Sequence, residues 1–65
     1  MNTPKGFIVL HDRMGFEMYV RVTAVTAVID SGTYVQLAFA GKSEPIKLKD
    51  SLQTVIAAID EAQDN

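Results

Sequence analysis

Apolar residues recur at every second position through most of this chain and take up helical spacing only near its end. From Phe7 to His11, Ile8 and Leu10 fall on one side of an extended segment, with Phe7, Val9 and His11 on the other, which is the pattern of a strand. Asp12-Arg-Met-Gly15 supplies a turn, and Glu17 to Val22 reads as a second strand. Val25 to Ile29 either continues that strand or forms a third after a bend at Thr23-Ala24. A single strand over both stretches would far exceed the usual length of about five or six residues, so the bend is favoured. Asp30-Ser-Gly32 turns the chain into Thr33 to Phe39, where Val35, Leu37 and Phe39 share a side. Ala40 to Glu44 turns it again into a last strand, Ile46 to Lys49, with Ile46 and Leu48 inward and Lys47 and Lys49 outward.

The period changes between Pro45 and Ile59. Asp50 or Ser51 can cap a helix by accepting from its orphan amides, and Leu52, Val55, Ile56 and Ile59 then lie on one face. The helix is expected over about 51–62, with 63–65 as a frayed end. These elements predict one domain over 1–65 of the α+β class, mostly β: an antiparallel meander or small barrel-like sheet of four to five strands followed by one C-terminal helix. Several strands are apolar on both sides, since Phe7 and Val9 oppose Ile8 and Leu10, and Val28 opposes Val25 and Ile29. One helix covers only one face of a sheet.

Composition sharpens that point. A 65-residue chain hides only about 60% of the surface its unfolded form exposes, yet this one is 48% hydrophobic and has no cysteine for a disulfide or thiolate metal site. A homo-oligomer, in its simplest form a dimer built through the sheet, is therefore expected. Six basic and eight acidic residues give a net charge of −2, which offers no general attraction for nucleic acid or an anionic membrane. The opening Met-Asn-Thr-Pro-Lys-Gly lacks an apolar signal core, and no uncharged apolar run reaches the roughly 20 residues needed to span a bilayer. A cytoplasmic protein without membrane contact is the expectation.

Candidate chemistry is sparse. Lys42, Lys47 and Lys49 lie around the last hairpin near the start of the helix and could receive a phosphate or carboxylate; outward lysines beside Pro45 also guard an edge strand against unwanted pairing. His11 could act as a base, but Asp12 is its neighbour along a strand and points to the other face. Ser31, Ser43 and Ser51 occupy turn or cap positions, and the carboxylates do not pair at metal-ligand or glycosidase spacing. Asp60, Glu61 and Asp64 crowd the negative end of the helix dipole. No catalytic set, metal site or cofactor motif is expected. The oddest local feature is apolar: Met14, Phe16 and Met18 surround the first turn, where polar residues are usual. They either contact a partner or fold back over the open end of the sheet. Tyr19 and Tyr34, each an aromatic body with a polar tip, could extend a partner-facing or ligand-stacking surface.

The positions Ile8, Leu10, Gly15, Val20, Val25, Val28, Thr33, Val35, Leu37 and Gly41, with Leu48-Lys-Asp-Ser-Leu52, Val55 and Ile56, resemble the small FlbD-like family of bacterial proteins linked to flagellar function and swarming motility, a pattern also common in short phage proteins. The resemblance implies a nonenzymatic accessory protein. Ile8 to Gly15 is also similar in layout to the first strand and turn of the carbon storage regulator family, which implies an intertwined dimer that binds RNA. That family's basic RNA-binding stretches correspond here to His11-Asp-Arg13 and Lys49-Asp-Ser51, each with one basic residue beside an acid. The leading expectation is thus a small regulatory or adaptor protein acting through protein–protein contact, with Met14, Phe16, Met18, Tyr19 and Tyr34 as its contact residues. The alternatives are a phage-type inhibitor or sequestering protein that holds a nucleotide-like anion with Lys42, Lys47 and Lys49, and an RNA-binding regulator.

Overall fold

In the computed structural model, which describes residues 3–63, five strands precede one helix: β1 (Phe7–His11), β2 (Glu17–Arg21), β3 (Val25–Asp30), β4 (Val35–Phe39), β5 (Ile46–Leu48) and α1 (Leu52–Gln63). The strands form two antiparallel sheets, β1-β2 and β3-β4-β5, so the α+β, mostly β architecture of strands followed by a C-terminal helix is the one observed. A single 3-10 turn at Val22–Ala24 carries the chain from the first sheet to the second. The bend expected at Thr23-Ala24 lies inside it.

The sheets also meet at their other side. Asp12 bridges Leu48, and the Lys49 amide donates to the His11 carbonyl at 2.9 Å. Ala40 donates to Ala24 at 2.9 Å, extending the β3–β4 ladder into the 3-10 turn. The two sheets thereby enclose one core of Ile8, Leu10, Val20, Val22, Val35, Leu37, Leu48 and Val55. Alternation accounts for most of it: in β1 the even positions are buried, and in β4 Val35 and Leu37 are.

β3 departs from alternation. Val25 and Val28 both pack against the core, although three residues apart in a regular strand they would face opposite ways. The register slips between Val25 and Ala27, so Val25-Thr26-Ala27 spans only Phe39 and Ala38 of β4. This bulge turns the strand over and brings both valines inward. The bulge thus covers Val25 and Val28 within one chain, while Ile29 on the same strand stays exposed. In β1 the outer residues Phe7 and Val9 are half-buried, and the Arg21 guanidinium lies 4.7 Å from the Phe7 ring centroid.

The helix is rotated from its expected setting. Val55 is fully buried and Ala58, Ile59 and Ala62 pack on the core, whereas Leu52 and Ile56 remain exposed, Ile56 by half. The buried stripe still has the i, i+3, i+4, i+7 spacing of an amphipathic helix, but it uses small alanines where α1 approaches β1 and the 3-10 turn. Ser51 is the cap: the Thr54 amide donates to Ser51 Oγ at 3.2 Å. Gln63 is helical rather than frayed, while Asp64 and Asn65 lie outside the described residues.

Candidate functional site

Two surface regions meet near the start of α1, and each is built by a different part of the chain. The first is the turn between β1 and β2. Asp12 organises it completely: its Oδ1 accepts from the Met14 amide at 2.9 Å and from the Phe16 amide at 3.0 Å, its carbonyl accepts from Gly15 at 2.9 Å, and its own amide donates to the Phe16 carbonyl at 3.1 Å. Gly15 adopts φ +91°, a conformation that side chains other than glycine rarely take, and this lets the chain reverse within so few residues. The turn does not fold back over the sheet. Met14 is 81% and Phe16 64% exposed, so two large apolar side chains stand in solvent on a backbone held by four hydrogen bonds. Tyr19 is also exposed, on the outer face of β2 opposite Val9. Met18 points the other way and packs against the core.

The second region is a groove of about 450 Å³ between the β3–β4 turn and the first turn of α1, lined by Arg13, Tyr34, Lys49, Ser51 and Leu52 among others. Tyr34 is half-buried in its wall. The Arg13 guanidinium and the Lys47 ammonium lie 5.4 Å and 5.2 Å from the Tyr34 ring centroid, within the range where a ring's quadrupole attracts a cation. Arg13 belongs to the apolar turn by sequence and to the groove by contact, so the two regions are continuous. Sequence reasoning passed over it as a turn residue. Its contact with Tyr34, twenty-one positions away, left no local signal.

The three lysines do not come together. Lys47 stands opposite Gln36 on β5, and Lys49 follows Leu48, the partner of Val35, so both are at the Tyr34 end of the β4–β5 hairpin. Lys42 is in the loop at the opposite end, beyond Phe39. Asp50 is not a helix cap either. Its Oδ1 accepts from the His11 amide at 2.6 Å and its Oδ2 lies 3.1 Å from His11 Nδ1. The cause is the ladder geometry: the Lys49 amide already bonds the His11 carbonyl, and where β5 ends the next side chain takes the place of a main-chain acceptor for the His11 N–H. The imidazole is therefore oriented by Asp50, thirty-nine residues away, and not by Asp12.

An aspartate-oriented imidazole is one part of an acid–base set. Among the described residues no hydroxyl is hydrogen-bonded to it: Ser51 donates to Thr54 Oγ1 at 2.9 Å and Ser31 to Gln36 Oε1 at 3.4 Å. Nor does any group of three or more His, Cys, Asp or Glu side chains among the described residues stand in positions to hold a metal ion. No described helix is long and apolar enough to cross a membrane. Comparison of the chain with protein-family models, curated proteins and solved structures gives no match in any of the three.

Proposed function

We propose that this chain is a nonenzymatic interaction module that docks onto another protein through its Met14–Phe16 turn. One observation carries the reading: two large apolar side chains are held out in solvent by a turn whose backbone is fixed by Asp12. Apolar anchors commonly dominate contact energy, and a loop already in its bound shape loses little conformational freedom on association. Tyr19 and Tyr34 extend the contact on either side; Met18 supports it from within. A homodimer belongs to the same proposal. The exposed pair Leu52 and Ile56 on α1 supports it, because they form an apolar strip one helical turn long that the monomer leaves uncovered. A cytoplasmic setting, and the motility-linked role implied by the FlbD-like resemblance, are further parts of this reading.

The second reading is a sequestering protein for an anion, favoured by the cations that Tyr34 gathers at the groove. Mass measurement under native conditions, on protein purified from the cells that make it, separates the two. A copurified polypeptide is the expected result. A small-molecule adduct in its place would favour the sequestering reading, and bound RNA would overturn both.

A further inference from the structure

We infer that the groove beside the docking turn receives an acidic segment of the partner protein, so that the partner is recognised by an apolar residue flanked by carboxylates. The inference rests on the docking reading above and names the chemistry of its partner. Charge complementarity carries it. Arg13 and Lys49 line the groove and Lys47 lies against Tyr34 in its wall, and among the described residues none of the three is ion-paired within the chain. Half of the chain's six basic residues are thus gathered at one place on a molecule whose net charge is −2. Asp30 and Asp50 also line the groove, their carboxylates held by the Gly32 and His11 amides at 3.0 Å and 2.6 Å without being neutralised, so the region carries its excess of positive charge only with Lys47: three cations against two acids.

The site is also fixed in place. Arg13 and Lys47 are drawn to one ring, so their charges are positioned before a ligand arrives, and a guanidinium can meet a carboxylate with two parallel hydrogen bonds. Arg13 leads directly into Met14, so the groove runs onto the apolar turn. A peptide crossing this surface meets apolar and cationic contacts alternately. Nucleic acid fits less well, because three cations with Asp30 and Asp50 beside them do not make the extended basic track that a phosphate backbone follows.

The test is a titration of isotope-labelled protein, followed by amide shifts at low salt, with two acetylated hexapeptides, Glu-Glu-Leu-Phe-Glu-Glu and Gln-Gln-Leu-Phe-Gln-Gln. The acidic peptide should bind at least tenfold more tightly and shift the amides of Arg13, Tyr34, Lys49 and Ser51. The double variant Arg13→Glu, Lys49→Glu should erase that preference with its circular dichroism unchanged. Equal affinity for the two peptides, no binding of the acidic one at millimolar concentration, or a preference that survives the double variant would overturn the inference. A twelve-residue oligothymidylate that binds more tightly than the acidic peptide would replace it with a nucleic-acid site. Self-association of the wild type that disappears in the double variant would make a second copy the occupant. A third protein, Met14→Ser, Phe16→Ser, separates this inference from the docking reading. If it weakens both peptides equally while charge has no effect, the groove inference fails alone; if it weakens neither while the acidic preference persists, the docking reading fails alone.

Discussion

The turn between β1 and β2 and the loop between β4 and β5 join hairpins of similar construction, yet they are opposite in chemistry. Residues 12–16 place Met14 and Phe16 in solvent, and the Asp12 side chain and backbone fix the turn with four hydrogen bonds. Residues 40–45 carry Lys42, Ser43 and Glu44, and their one turn bond outside the ladder runs from the Lys42 amide to Phe39 at a longer 3.3 Å. Solubility alone would favour the second design. Exposed apolar side chains are common on protein surfaces, so what distinguishes the first turn is that its two lie close together in sequence on a backbone held by several bonds. Asp12 provides the bonds that hold the turn, and the docking proposal rests on that difference from the lysine-bearing loop.

The largest effect should be on binding. An apolar hot spot of an interface is worth about 2 kcal/mol, so Met14→Ser with Phe16→Ser, about 4 kcal/mol if the two add, should weaken binding to the copurifying polypeptide about 1,000-fold. Lys42→Glu, in the other loop, should change it less than about twofold. Calorimetric titration of both variants checks the contrast, and equal losses would erase it.

Stability effects come next. Asp50→Ala leaves the His11 amide without its acceptor at a half-buried site and should cost about 2 kcal/mol, lowering the melting temperature by roughly 10 °C in a domain of this size. Asp12→Ala removes two acceptor contacts from a more open position, at a cost of about 1 kcal/mol. Unlike Asp50→Ala, it should also weaken docking, because the turn would then be free to move. Denaturant titration measures both costs. No change in Asp50→Ala would mean that His11 and the helix entry are held by something else.

Gly15→Ala and Gly41→Ala sharpen the comparison further. Both glycines have positive φ, +91° and +83°, and open space where a Cβ would be, so strain is the only cost and each change should destabilise by about 1 kcal/mol. Only Gly15→Ala should reduce binding. The smallest effect should be at Ser43, where alanine is expected to shift stability by less than about 0.5 kcal/mol.

Much of the fold was legible because alternation is a local signal: β1 and β4 bury the residues their pattern marks, and the switch to helical spacing locates α1 within one residue at each end, whereas Met18 of β2, read as a contact residue, packs inward. The rest depended on contacts far apart in sequence. Thr26 forms a bulge that no two-residue period can announce. The helix face could not be read from residue size, since Leu52 and Ile56 looked like core while Ala58 and Ala62 make the close approach to the rest of the core. At the site, the exposure of Met14 and Phe16 followed from the Asp12 turn, whose residues were visible as a turn but whose bonding was not. The Asp50–His11 and Arg13–Tyr34 contacts are set by how β5 ends and how the hairpins lie together, which sequence spacing does not encode.

The central claim is that the apolar turn is rigid before any partner arrives, and backbone relaxation of the free, isotope-labelled protein tests it most directly. Order parameters for Met14, Gly15 and Phe16 should match those of β1 and β2, about 0.85, while those of Lys42, Ser43 and Glu44 fall clearly lower. Values below about 0.6 at Met14 to Phe16, or equal values in the two loops, would contradict the account.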